Sequence, residues 1–217
     1  MRALLLLLGC LSAAIASEAA THAVLAPENV LPTPASNPDW RELFAELSQP
    51  KNRFSRFEER RHFPFREQPV LLQGEIRIVP KRGLSLSYGG AKPHVIIIDE
   101  KGVLMRDERG RERSAPDDGR ARAATAALAA ILRFDLAALE QDFVIHGVRD
   151  QAQWTLGFAS RDPAFADLLG AIVVQGRDAT VERIEMVKSE QQRIEILLKN
   201  SQADVIFPMD VLQRFFR

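Results

Sequence analysis

The chain has 217 residues, 46% of them hydrophobic, which is one domain's worth of sequence with material for a real core. Its 29 basic and 29 acidic residues cancel, so no net field draws it toward nucleic acid or an anionic surface. The single cysteine, Cys10, excludes a disulfide framework and a cysteine metal site.

Residues 1–16 read as a secretory signal peptide. Arg2 supplies the positive charge, a leucine-rich run follows, and Ala14-Ile15-Ala16 offers small residues for cleavage. The run is shorter than the ~20 apolar residues needed to span a bilayer. The mature chain is therefore expected in a periplasm. Leu7-Leu8-Gly9-Cys10 also has the form of a lipobox, and lipidation of Cys10 would anchor the protein to a membrane. The continuation of the apolar run to Ala16 favours simple cleavage.

Residues 17–38 hold Pro27, Pro32, Pro34 and Pro38 among small residues, which predicts an extended, flexible leader. Asn37-Pro38 then suits a helix start, and Trp40, Leu43, Phe44 and Leu47 share one face of a helix over 39–48. A single domain is expected over 39–217.

Strands follow. Residues 53–63 form a charged strand that interleaves Arg and Phe, predicted as amphipathic with one solvated charged side. Over 68–79, Val70, Leu72, Gly74, Ile76 and Ile78 alternate with mostly polar neighbours, giving one nearly all-apolar face. Leu84, Leu86 and Tyr88 alternate with serines. Residues 94–98 are apolar on both sides, and Asp99 to Gly102 turns into another strand. The stretch 106–113 reads as a charged hairpin tip. An alanine-rich amphipathic helix is predicted over 117–134 and a short second helix over 135–140. Strands resume at 143–148, 153–160, 169–175, 180–188 and 193–198, which points to an antiparallel sheet or barrel.

Catalytic signatures are missing. There is no G-x-S-x-G, no H-E-x-x-H and no phosphate loop. His22, His62, His94 and His146 stand far apart, without metal-ligand spacing. Glu58 and Glu59 point to opposite faces of a strand, and Asp117-Asp118 suits a helix start. No catalytic residue, metal or cofactor is expected, and the chain is not expected to be an enzyme. What remains is an apolar sheet face and a helix to cover it. That pattern fits an ordinary core and a lidded cavity equally well.

The order of pieces resembles the periplasmic lipoprotein carrier family, LolA, and its divergent LolA-related branch. The resemblance runs through Phe54-Ser55-Arg56-Phe57-Glu58-Glu59, Gly74-Glu75-Ile76, Pro80, Leu84 to Tyr88, Pro93, Asp99, Trp154 to Phe158, Arg161-Asp162 and Phe207-Pro208. It implies an α+β fold: an incomplete antiparallel β-barrel, or half-barrel, with helices covering the concave apolar face. It also implies a cavity for the acyl chains of a lipid or lipoprotein, received from an inner-membrane donor and passed to an outer-membrane acceptor. The expected lining is Phe57, Val70, Leu72, Ile76, Ile78, Leu84, Leu86, Ile96, Ile98, Trp154, Leu156, Phe158, Ile184, Met186, Ile194 and Ile196, with Leu128, Ile131 and Leu132 as the lid. The family has an arginine directly before the proline as a lid latch; Val79 stands there, leaving Lys81 and Arg82 as latch candidates. A monomer with no nucleic-acid partner is expected. The alternatives are an outer-membrane acceptor anchored through Cys10 and a non-transporting envelope protein-interaction module.

Overall fold

The computed structural model describes residues 23–114, 126–127 and 129–217. The predicted signal peptide, Cys10, His22 and Leu128 lie outside the described residues. Eleven strands make one antiparallel sheet: β1 (Arg53–Arg61), β2 (Val70–Val79), β3 (Gly83–Tyr88), β4 (His94–Asp99), β5 (Gly102–Asp107), β6 (Glu112–Ser114), β7 (Phe143–Asp150), β8 (Gln153–Ser160), β9 (Ala171–Arg177), β10 (Thr180–Ser189) and β11 (Gln192–Ala203). Their spatial order is β6-β5-β4-β3-β2-β1-β11-β10-β9-β8-β7. The order describes two meanders joined where β1 pairs with β11. The edges β6 and β7 do not pair, so the barrel is open, a half-barrel.

Register turns sequence alternation into a surface, because directly paired residues share a face. One row runs Leu156, Val174, Ile184, Ile196, Glu59, Leu72. The next runs Phe158, Ile172, Met186, Ile194, Arg61, Val70. On the other side of β1, Ser55, Ile76, Leu86 and Ile96 form a row, as do Arg53, Ile78, Leu84, Ile98 and Val103. These rows form the concave face.

Helix α1 (Arg41–Leu47) buries Trp40, Leu43, Phe44 and Leu47 in one cluster with Trp154, Leu156, Phe158, Ile172, Val174 and Ile184. It starts later than Asn37-Pro38 predicts. Asn37 instead forms a turn before it, accepting from the Asp39 amide at 3.0 Å through its side chain and from the Arg41 amide at 2.8 Å through its carbonyl. The described part of the alanine-rich segment is helical over 126–127 and 129–133 and adds Ala127, Ala130 and Ile131 to the same cluster. Helix α2 (Leu136–Asp142) is capped by Asp135, which accepts from the Ala138 amide, and buries Leu139. Helix α3 (Pro163–Leu169) sets Phe165 edge-on to Phe143 at 5.6 Å between centroids.

One expectation needs correction. The leader is not an extended tail in its described part. Val24 is buried, and Val24 and Leu25 occupy the space a side chain at Gly157 would need on the convex face. The chain then rounds the β7 edge, where the Leu31 amide donates to the Ile145 carbonyl at 2.8 Å, and Leu31 and Trp40 close over Gly147. Proline supplied the turns, but the apolar residues between the prolines found surface to cover. The stretch 106–113 is the expected charged hairpin: β6 pairs with β5, and Arg106 bonds Glu112. The segment after β11, for which the sequence offers no expectation, forms helix α4 (Met209–Phe215). Its end lies against the convex side. The Arg77 guanidinium sits 3.8 Å from the Phe215 ring centroid, and Arg217 grips Asp99 through two bonds of 2.6 Å.

Candidate functional site

The expected lining residues occupy a single face of the sheet, in the rows given above and in those of Phe57 with Gly74 and Trp154 with Gly176, but they do not share one environment. Trp154, Leu156, Phe158 and Ile184 are buried under α1, α2 and Phe134 as packed core. The Trp154 indole is edge-on to Phe134 at 6.1 Å, and its Nε1 donates to the Asp178 carbonyl at 2.7 Å. Met186 and Ile196 pack at the margin of that cluster, and Ile194 is half-buried. Phe57, Ile76, Ile78, Leu84, Leu86, Ile98 and Tyr88 form a second cluster, with Leu72 and Ile96 half-buried against it and Val70 half-buried on β2. From the helical side, the described residues that reach this second cluster are Ala129 and Leu132.

A cavity of about 100 Å³ lies between the two clusters. Ile76, Ile78 and Ile184 form its floor with Val174 and Leu198, while Ile131, Leu132 and Phe134 form its roof. Ile131 and Leu132 thus stand where a lid is expected. Phe134 was not foreseen. It ends the helical stretch with a φ of +51°, a left-handed conformation that glycine adopts easily and a bulky residue resists. Its ring is fully buried, which holds the backbone there. Leu198 lies within the predicted strand over 193–198 and shares the parity of Ile194 and Ile196, a signal that pointed to it.

The concave face carries charge that strand patterning placed in solvent. Glu59 follows Phe57 on the inward side of β1 and is 3% exposed. Arg61 Nε donates to its Oε1 at 2.5 Å, while Oε2 has no hydrogen-bond partner among the described residues. Burial and the Glu59 carboxylate push the Tyr88 hydroxyl well above its ordinary pKa. Burial opposes the charged form of Arg61, but Glu59 and Tyr88 hold its pKa above the usual arginine value. Tyr88 is stacked on His94 at 4.8 Å and is edge-on to Phe57 at 5.2 Å. The amphipathic-strand expectation is thereby corrected: β1 has charges on both sides.

The latch candidates fall elsewhere too. Lys81 and Arg82 lie in the β2–β3 turn, and among the described residues no side-chain hydrogen bond or ion pair involves either. The cation in the cavity wall is Arg53, the first residue of β1, whose Nη2 donates to the Leu47 and Gln49 carbonyls.

Among the described residues no three His, Cys, Asp or Glu side chains converge as metal ligands. His146 Nδ1 faces the Ala26 carbonyl at 3.2 Å, and His62 Nε2 lies 3.4 Å from Glu195 on the convex side. No described helix is long and apolar enough to cross a membrane.

An open antiparallel half-barrel with helices packed into its hollow is an architecture made to enclose apolar material. The chain matches the family described as outer membrane lipoprotein carrier protein LolA-like over residues 33–212, and it belongs to that family. Comparison with curated proteins finds no match. Among solved structures, it is similar to a LolA superfamily protein from Nitrosomonas europaea, at 6% identity and a TM-score of 0.45, covering 79% of this chain and 96% of that one. It is also similar to LprF from Mycobacterium bovis, at 14% identity and a TM-score of 0.38, covering 81% and 98%.

Proposed function

We propose that this protein is a non-catalytic periplasmic carrier that shelters the acyl chains of a lipid or lipoprotein and delivers them toward the outer membrane. The observation that carries the reading is the apolar cavity between Ile76, Ile78 and Ile184 of the sheet and Ile131, Leu132 and Phe134 above them. Each methylene taken from water is worth ~0.8 kcal/mol, so an acyl chain in transit gains from such a surface without directional bonds. The cavity of about 100 Å³ is smaller than the ~300–1,000 Å³ of a ligand pocket. Loading therefore requires the helical stretch to lift from the second cluster, which Ala129 and Leu132 touch among the described residues. Handover is the reverse step: the stretch returns and the roof refills the space.

Native mass spectrometry with lipid extraction, on protein purified from the envelope of its own cells, tests this. A co-purifying acylated species is the expected result, and its mass identifies the cargo. A bare protein mass, together with no uptake of added lipid or lipopeptide, overturns the carrier reading.

A further inference from the structure

A second cavity, of about 390 Å³, opens beside the first. The two share Arg53, Ile78 and Phe134 as walls, so they form a polar vestibule and an apolar pocket in series. The vestibule also contains Lys51, Pro80, Arg133 and Asp135.

Its charges do not balance locally. Lys51 has a partner in Asp204, at 3.5 Å. Arg53 donates to backbone carbonyls of the α1 end, and Arg133 Nε donates to the Ala129 carbonyl of its own helical stretch at 3.2 Å. Neither guanidinium has a carboxylate within ion-pair distance among the described residues. Among the described residues Asp135 is the sole acid in the wall, and its side chain accepts from the Ala138 amide to cap α2. Burial disfavours the charge on Arg53 and lowers its pKa, with only the field of Asp204 opposing. Arg53 is thus a partly desolvated cation without a counter-ion among the described residues, which is costly, while Arg133 stands exposed at the mouth, and guanidinium groups match phosphate and carboxylate oxygens in pairs.

We propose that this vestibule is an anionic headgroup site, in which Arg53 and Arg133 bind a phosphate or carboxylate on the cargo while the attached chain enters the apolar pocket beneath Ile131 and Leu132. The inference rests on the carrier reading and adds cargo class to it. Arg133 lies on the stretch that must move, and Arg53 on the rigid sheet. An anion bridging them would couple headgroup capture to the position of the lid.

The test is uptake, by isothermal titration, of four probes: dodecyl phosphate, dodecyl maltoside, dodecyl trimethylammonium and inorganic phosphate. Dodecyl phosphate is expected to bind at least about tenfold tighter than the neutral probe, with the preference shrinking as salt rises. Arg133→Gln should erase most of that preference and leave dodecyl maltoside uptake unchanged, and Arg53→Lys, which keeps the charge but loses the paired donors, should weaken the preference. Thermal melting of both variants confirms that they are folded; Arg133→Gln alone suffices if Arg53→Lys melts early. Equal binding of all three amphiphiles, or a preference untouched by Arg133→Gln, overturns the headgroup site while sparing the carrier reading. Binding of inorganic phosphate as tight as dodecyl phosphate overturns a lipid source for the anion. No binding of any amphiphile overturns both.

Discussion

The two halves of the concave face are built from the same kind of strand and are filled differently by the described residues. Over β7–β10, the hollow is packed with Trp40, Phe44, Leu47, Phe134 and Leu139, and the sheet residues beneath are core. Over β1–β5, the apolar face receives Ala129 and Leu132 from the described helical residues, and Leu72, Ile96 and Val103 remain half-buried. Among the described residues, aromatic and leucine side chains fill one half, while the other is covered only in part.

The sharpest way to break this comparison is Trp154→Ala. Its large buried ring and indole bond should cost about 3–5 kcal/mol in chemical denaturation. A variant that stays stable yet loses lipid uptake would move the binding site into the packed half. Next comes Gly74→Ala on β2. A methyl there would stand 2.1 Å from the Ser87 carbonyl oxygen and 2.7 Å from the Phe57 ring, so β3 and Phe57 must shift. A loss of about 1–3 kcal/mol by thermal melting is expected, with distorted cargo selectivity. Leu72→Lys is the converse of Trp154→Ala. It places an amine beside Glu59 on the half-buried side, so stability should change by about 1 kcal/mol or less while uptake of an acylated probe falls sharply. Equal loss of stability and uptake would make Leu72 ordinary core.

The smallest effect concerns the convex support of the open half. Burial opposes ionisation of Asp99, but the Arg217 bonds and the Lys101 amide outweigh it and hold its pKa below the ordinary value. A carboxylate with a lowered folded pKa stabilises above its unfolded pKa of about 4, and that contribution fades as pH falls through the folded value. The loss of melting temperature caused by Arg217→Ala should therefore be largest at neutral pH and shrink below about pH 4.

The strands were legible because period-two alternation is a local property. Val70, Leu72, Ile76 and Ile78 announce an apolar side before any partner is known. Their expected common face appears in the pairing, since strands in antiparallel register align like faces. The site was less legible. Glu59 looks like a solvated acid by composition, and only the inward parity shared with Phe57 puts it inside. Arg53 has the same parity and was assigned no role. Lys81 and Arg82 were drawn to the site by their nearness to Pro80, yet a turn takes them out of the hollow.

By itself the sequence determined the alternating strands, the helical character of 126–127 and 129–133 and the lack of a catalytic motif in the sequence, because these depend on neighbours a few residues apart. Only the tertiary structure decided that the leader wraps the β7 edge, that Phe134 closes the roof in a left-handed turn, and that Arg53 and Arg133 line one vestibule. Those facts depend on which distant surfaces meet. Hydrophobic burial has no direction of its own, so packing geometry chooses which distant apolar surfaces meet.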